Sequence, residues 1–568
     1  MSGAARGVGV FCVGLPLAQA ARTSGHALSN RTIASTFLSD LWVGCKEIDT
    51  IPKRLSTAQA VLVPVGFAFG LLAMLGLPQI GQDPNLVRSF FAAAAVLVLW
   101  AAALFVSANR AGRELSIQSA VRKPHYVQMF AQGTVLVYWG WHVQMVQEWA
   151  PLILAQILFA FGVDALLQWS RRDTYGMGFG PVPVMFSMNL FLWFKPEWFY
   201  FQFAMVAGGF LAKELIRWQK NGKSAHIFNP SSFPLAVASV ILLLTGSTEI
   251  TWGAEIAQTQ YNPPYIFAVI FLASLPGQLL FGVATMTWSA VVSAYAFGLL
   301  YYQVTGVYYF YDSFIPIAVF LGMHLLFTDP STSPKSESGR VIFGVLYGMG
   351  CIGLVVVLNA FGAPEFYDKL LPVPILNLSV RWIDRLAQQP FFRSLEPGRI
   401  LAFAPLQHTR LRTASLWIVT FLAVRSLGGV GDDHPGQYLP FWDQACEVGN
   451  ERACEHLADM QLVYCARESG WACNERGIVL ATKLDRADLA RVEFQRACAL
   501  DFGPGCANVL RLTTGSESFE EARPPDRDLP IVIRGSKGPV MASDRSELYS
   551  LACERGWTEH CTGPMASM

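Results

Sequence analysis

Apolar stretches separated by short polar breaks recur from about residue 60 to 428, and beyond 430 the chain reads as a soluble sequence. A membrane helix needs about 20 mostly apolar residues, because backbone groups left unpaired in hydrocarbon are costly. On that measure the pattern predicts spans over 61–79, 87–107, 126–146, 150–169, 179–194, 197–216, 233–248, 263–281, 284–306, 313–329, 340–362, 366–384 and 411–428. The fold expected is therefore all-α: a polytopic transmembrane bundle of about 13 spans, followed by a small helical domain. Three segments follow from the same pattern: an N-terminal cytoplasmic stretch (1–58), the membrane domain (59–430) and a cysteine-rich domain (438–565).

Basic residues give the spans a direction, since Lys and Arg accumulate on the cytoplasmic side. Arg110, Arg113, Arg122 and Lys123 crowd one loop; Arg171 and Arg172 another; Lys213, Arg217, Lys220 and Lys223 a third. Lys335 and Arg340, then Arg385, Arg393, Arg399, Arg410 and Arg412, complete the set. The intervening loops carry Glu148, Glu197, Glu249, Glu255, Glu365 and Asp368. With thirteen crossings the N-terminus falls in the cytoplasm and the C-terminal domain outside it, as expected of a multi-pass protein of a bacterial inner membrane. Trp139, Trp141, Trp193, Trp198 and Trp252 lie near predicted span ends and read as interfacial anchors.

Composition agrees with lipid contact. The chain of 568 residues is 53% hydrophobic and only 15% charged, where soluble domains carry roughly 25% charged residues. A net charge of +1 argues against a nucleic-acid partner. Met1–Ala20 has one Arg, a glycine-broken apolar run and an Ala18-Gln19-Ala20 ending; it reads either as a cleaved leader or as an ordinary start.

Eight of the eleven cysteines lie in the last domain, as four C-x7-C pairs: Cys446 with Cys454, Cys465 with Cys473, Cys498 with Cys506, and Cys553 with Cys561. Residues eight apart in one helix stand about 12 Å from each other, and a disulfide needs Cα atoms within roughly 7 Å. The chain must turn between partners, and Gly449, Gly470, Gly503, Gly505 and Gly556 are the expected turn residues. Zinc is the rival, but its ligands usually stand two to four residues apart, and an extracytoplasmic domain favours disulfides. The repeated Ala-Cys…Gly…Cys pattern resembles cysteine-rich Sel1-like repeats over roughly 440–565. That resemblance implies an α-solenoid that either binds an as yet unknown protein partner or caps the chain without one.

Three polar sequences interrupt the membrane domain: His226-Ile227-Phe228-Asn229-Pro230-Ser231-Ser232, Thr328-Asp329-Pro330 through Gly339-Arg340, and Pro364-Glu365 followed by Leu376-Asn377 and Ile383-Asp384. By themselves Asn229, Asp329 and Ser338 suit helix caps. In sequence and order, these segments resemble the RnfD/NqrB family, the membrane subunits of Rnf complexes and of sodium-pumping NADH:quinone reductase, over about 200–390. The resemblance implies an electron-transport and ion-coupling subunit that works beside other Rnf-like subunits, and a flavin (FMN or riboflavin) on the cytoplasmic side. His226, Asn229, Ser231, Ser232, Thr328, Asp329, Thr332 and Arg340 are the cofactor-binding candidates it carries over, with Arg340 placed to meet a phosphate.

The family attaches FMN to the last Thr of Asp-x-x-Ser/Thr-Gly-Ala-Thr, which falls here on Thr285. Leu279, Gly282 and Val283 replace three of that pattern's positions, so non-covalent flavin, or none, stays open. A non-redox transporter or scaffold of the same fold is the alternative. Asp164, the deepest acid in a predicted span, is the candidate for an ion path. His142 and His324 read as satisfied interior histidines, and no catalytic or metal-ligating residue is expected.

Overall fold

A serine or aspartate stands before each of the three best-capped helices. Ser56 and Gln59 form a reciprocal capping box that opens α1 (Thr57–Ala73). Asp83 accepts from the backbone of Asn85 and Leu86 at the start of α2 (Pro84–Arg110), and Ser336 accepts from Gly339 at the start of α11 (Glu337–Ala360). Between them run α3 (Lys123–His142), α4 (Gln144–Arg171), α5 (Pro181–Asn189), α6 (Phe199–Leu215), α7 (Ser232–Thr245), α8 (Ile266–Phe281), α9 (Ala284–Thr305) and α10 (Ile317–Leu321). A single π-turn, Gly322–Leu326, continues α10. Helices α12 (Pro372–Leu386) and α13 (Thr409–Ser426) complete the bundle. The computed structural model describes residues 48–49, 51–220, 222–261, 263–394, 409–431, 434–466, 468–515 and 518–521. The leader-like start lies outside them.

Among the described residues four helices are long and apolar enough to cross a membrane, namely α1 with its 3-10 extension, α2, α4 and α11. The expectation of about 13 spans is thereby corrected, and the parity argument that fixed both termini loses its base. The segment 179–194 forms the nine-residue α5 and then an extended stretch. The segment 313–329 forms α10 and the π-turn, and 366–384 forms a 3-10 turn (Glu365–Lys369) and the amphipathic α12. The apolar residues of the first two face protein: Leu190, Leu192, Trp193, Ile315, Phe320 and Leu321 are fully buried. A hydrophobic run states that a segment avoids water, and a protein interior satisfies that demand as well as lipid does. Trp139 and Trp193 are likewise buried, Trp193 stacked on Trp149 and Trp139 tilted against Trp193 in the core, so they are not interfacial anchors; Trp141 and Trp198 are exposed.

Small residues set the closest helix approach. At Gly344 on α11 an added Cβ would land on the Met286 carbonyl of α9, and at Gly348 it would stand 2.7 Å from the Ala290 carbonyl and Ser293 Oγ. This Gly-x3-Gly pair lets two backbones touch, the usual device of membrane helix pairs. On the side of the basic loops, β1 (Lys53–Leu55) pairs antiparallel with β2 (Leu115–Val121), which pairs parallel with β3 (Thr174–Met177). A hairpin, β4 (Arg217–Lys220) and β5 (Lys223–His226), projects there too, and Arg381 stacks on its Trp218.

The tail forms α14 (Leu439–Glu447), α15 (Glu451–Ala466), α16 (Gly470–Thr482), α17 (Ala487–Ala499) and α18 (Gly503–Thr513). Disulfides Cys446–Cys454, Cys465–Cys473 and Cys498–Cys506 each join one helix to the next, with Cα atoms 4.5 to 4.7 Å apart. The expectation of four disulfides is therefore met by three among the described residues. The fourth predicted pair is not one of them, since Cys553 and Cys561 both lie outside the described residues. Of the expected turn glycines among the described residues, only Gly449 takes a left-handed backbone; Glu468 and Asp501 fill that role in the other two described turns. Gly470 and Gly505 serve packing instead, since a Cβ at either would strike Phe502 or Ala497.

The tail also packs on the bundle. Arg452 donates to Tyr301 Oη (2.6 Å) and to the Tyr309 carbonyl, His456 stacks on Tyr311 (3.8 Å), and Tyr308 meets His434 and Phe441. The described residues from Asp49 onward belong to one compact unit.

A polar cavity on the basic face

The loops rich in Arg and Lys meet around one cavity of about 600 Å³. Its wall takes Gln118, Ala120 and Arg122 from β2 and its end, His125, Gln128 and Gln132 from α3, and Asp164 and Gln168 from α4. Arg172, Ser187, Lys213, Glu214 and Arg217 continue it, and His226, Asn229, Ser231, Asp329 and Ser331 close it. Two sequence motifs a hundred residues apart therefore share a wall, and Asp164 shares it with them.

The motif loops are tied by His226, whose Nε2 lies 2.9 Å from Ser331 Oγ and 3.6 Å from Asp329 Oδ2. Asp329 Oδ1 accepts from both the backbone N–H and the hydroxyl of Ser331 (2.9 and 2.6 Å). Burial works against the charge on Asp329, but His226 and Ser331 outweigh it and hold the carboxyl down at about 2. Asp329 is therefore anionic at neutral pH.

Asn229 is engaged in the framework. Its side-chain oxygen accepts from Ser231 N, Ser231 Oγ and Ser232 N, and its amide donates to the Leu326 carbonyl at 2.9 Å. Its backbone N–H donates to Asn377, whose own amide donates to the Thr332 carbonyl. The cap that the sequence offered as an alternative is what Asn229 forms, and that cap holds the end of the π-turn against α7.

The remaining predicted residues fall outside the cavity wall. Thr328 donates to the His324 carbonyl (2.8 Å), Thr332 Oγ1 stands 3.3 Å from Asp329, and the Ser232 hydroxyl is buried without a partner among the described residues. Thr285, 2% exposed, donates to Glu337 at 2.6 Å, and Arg340 donates to the other oxygen of Glu337 at 2.9 Å and to the Pro334 carbonyl at 3.2 Å. Arg340 also lies against Gly282, whose φ of +69° and short distance to the guanidinium exclude a side chain. Thr285 and Arg340 thus join the starts of α9 and α11 through Glu337, a partner the sequence did not single out. His142 is exposed rather than interior; His324 is buried, its Nδ1 against the Phe320 carbonyl and its Nε2 unpartnered.

Charge and hydrogen-bonding capacity are distributed unevenly in the cavity. Glu214 pairs with Arg172 (2.8 Å) and Arg217 (3.7 Å), while Gln168 donates to Asp164 (2.9 Å). Gln132 donates to the Leu325 carbonyl and leaves Oε1 unsatisfied; Ser187 Oγ and His125 Nδ1 are also buried and unpartnered. Native proteins rarely leave such atoms without a partner. Arg122, His125, Gln132, Ser187 and Lys213 went unrecognised in the sequence because they lie upstream of the motifs. Arg122 and Lys213 stood out only as members of the basic loops, and the one signal of His125, Gln132 and Ser187 was a polar residue beside or inside an apolar stretch.

No known family model matches the chain, and neither a curated protein nor a solved structure is significantly similar to it.

The residues present fit a non-covalently held, phosphate-bearing ligand. The orphaned atoms of Gln132, Ser187 and His125 offer hydrogen bonds to polar ring edges, and Arg122 and Lys213 offer charge for an anionic end. Attachment through Thr285 does not fit, because that hydroxyl is buried, bonded to Glu337 and outside the cavity wall.

Proposed function

We propose that the chain is an integral protein of a bacterial inner membrane that binds a flavin, FMN or riboflavin, in the cavity on its basic face. It serves as an electron-transport and ion-coupling subunit similar to RnfD/NqrB, beside other Rnf-like subunits. The observation that carries this reading is the meeting of His226, Ser231, Asp329 and Ser331, from the two motif segments, with Arg122, His125, Gln132 and Lys213 around one cavity. In this reading the basic face is cytoplasmic and the disulfide-bonded tail lies outside, as positive charge and oxidised cysteines favour. The flavin would supply the redox chemistry, while Arg122 and Lys213 would hold the phosphate of FMN and Gln132 and Ser187 would orient the ring.

The test is the visible absorption of the purified full chain in detergent, before and after acid precipitation. Expected is a yellow protein that releases all its flavin into the acid supernatant, with retention falling at least about tenfold in Arg122→Ala/Lys213→Ala, as loss of ~1.4 kcal/mol or more implies. A colourless protein that takes up no added FMN overturns the reading. Membrane fractionation tests localisation separately, and recovery in the soluble fraction rejects it.

A second reading, a non-redox transporter or scaffold of the same shape, is favoured by one observation: Thr285 is committed to Glu337. A colourless protein that binds some other phosphorylated solute in this cavity selects that reading.

A further inference from the structure

Deep in the bundle, away from the cavity wall, lies a charged pair that the proposed function does not use. Asp368 and Lys369 are each 3% exposed, with Nζ 3.4 Å from Oδ1. The Lys369 ammonium otherwise rests over the Phe366 ring (4.2 Å). Taking two charges out of water is costly unless each hydrogen-bonding position is answered. Here an ammonium with three donors faces one carboxylate oxygen at the long end of hydrogen-bonding range. Such a pair lies close to the point at which neutralising one partner becomes favourable.

Its surroundings connect it to the cavity. Tyr347 of α11 donates to the Lys369 carbonyl (3.0 Å), its hydroxyl abuts Gly322 at the head of the π-turn, and its ring stacks on Phe327 (4.3 Å) just past the end of that turn. The turn is closed by Phe327 N–H to the Gly322 carbonyl. The last two carbonyls of the turn accept from cavity-wall side chains, Leu325 from Gln132 and Leu326 from Asn229. Asn229 is in turn bound to Asn377 on α12, the helix that begins three residues after Lys369. One five-residue turn thus touches the buried pair at its head and the cavity wall at its tail. Single π-turns within helices are frequent at functional sites.

We propose that the Asp368–Lys369 pair is a proton-binding site, coupled through the Gly322–Leu326 turn to the wall of the cavity. In the exchange the Asp368 carboxylate takes one proton from solvent and becomes a neutral acid, and Lys369 keeps its ammonium. The groups that face the pair are Glu365 on its own segment, Tyr309 from the α9–α10 connection, and Tyr347 and Cys351 from α11. Two carboxyls, Asp368 and Glu365, around one lysine make uptake of a proton, rather than its release, the favoured exchange. Burial, acting first and against the attraction of Lys369, raises the Asp368 carboxyl above the ordinary range. With Asp368 neutral, Lys369 loses its partner, Tyr347 shifts with the Lys369 carbonyl, and the turn that carries the Gln132 and Asn229 acceptors loosens. This inference does not depend on which ligand the cavity takes.

The test uses the full chain in lipid nanodiscs. Infrared difference spectra recorded as pH is lowered from neutrality should show one protonated carboxyl that is absent from Asp368→Asn. Hydrogen exchange of residues 322–331, corrected for intrinsic rate, should rise about twofold or more with acidification in the native chain and stand at the raised level at all pH values in Asp368→Asn. The double variant Asp368→Asn/Lys369→Met removes both charges, so it keeps the fold even if an unpaired lysine unfolds the single variant; its exchange in 322–331 should be pH-independent. Exchange in the double variant that follows pH as in the native chain overturns the coupling. A protonated carboxyl that persists in Asp368→Asn, or never appears before unfolding, overturns the site.

Discussion

The basic face and the junction with the tail are both rich in aromatic and polar side chains, yet they use them in opposite ways. At the junction most groups are matched, His434 Nε2 excepted: Arg452 reaches the Tyr301 hydroxyl and the Tyr309 carbonyl while lying over three tyrosine rings, and His456 and Trp442 pack around Tyr311. At the basic face a cavity persists, with buried oxygen and nitrogen atoms of Gln132, Ser187 and His125 left unmatched. Matched polar groups in a tight aromatic setting stabilise an interface. Unmatched ones cost free energy and are retained where something else binds. Under the proposed function, the contrast separates a surface that holds the chain together from one that holds a ligand.

The largest effect that sharpens this contrast is expected in neither region but in the α9–α11 contact on which both depend. Gly344→Leu forces two backbones apart and should cost at least about 3 kcal/mol, with loss of folded protein in detergent size-exclusion profiles. Removing the Cys446–Cys454 disulfide as a double serine variant should cost about 2–3 kcal/mol, seen as faster proteolysis within 439–466 while the bundle stays intact. Arg452→Ala should cost about 2 kcal/mol at the junction, read as increased cleavage near residues 427–438. By contrast, Lys213→Ala on the basic face should change stability by less than about 1 kcal/mol and act on ligand retention alone. Equal losses of stability from Arg452→Ala and Lys213→Ala would erase the distinction between the two regions.

Acid should expose the same difference. Burial lowers His434 to about 4, and burial together with Arg452 lowers His456 to about 3, against 6.5 in the unfolded chain. The unfolded state therefore binds more protons below 6.5, and the junction loses stability progressively as pH falls from about 6.5 towards 3. Asp329 behaves as a depressed acid: its contribution is complete above 3.8 and disappears only as pH falls towards about 2. In the Asp368→Asn/Lys369→Met background, where the turn no longer follows the buried pair, hydrogen exchange at moderately acidic pH should thus open segment 434–456 before 329–332. The reverse order would contradict these assignments.

Much of the helical architecture was legible in the sequence because helices report local pattern. The boundaries of α2, α4, α9 and α11 lie within a few residues of the apolar runs that predicted them. The three described disulfides join the partners that their spacing proposed, while the expected link from Cys553 to Cys561 falls beyond the described residues. The number of membrane crossings was not legible, since Leu190–Trp193 and Phe320–Leu321 are as apolar as a lipid-facing stretch and are buried in protein. Of the residues named from the sequence, His226, Asn229, Ser231, Asp329 and Asp164 line the cavity, whereas Thr285 and Arg340 turn towards Glu337. Motif order shows which loops approach one another. It does not show which way a side chain faces once a nearer partner competes for it.

By itself, then, the sequence determined the helices, their caps, the glycine seam at Gly344 and Gly348 and the pairing of the six described tail cysteines. Each of these depends on residues close in the chain or on the size of one side chain. Only the tertiary structure decided which apolar runs are covered by protein, which polar groups are satisfied by each other and which remain open around the cavity. Burial and hydrogen-bond matching are settled among elements far apart in sequence, and no local pattern records them.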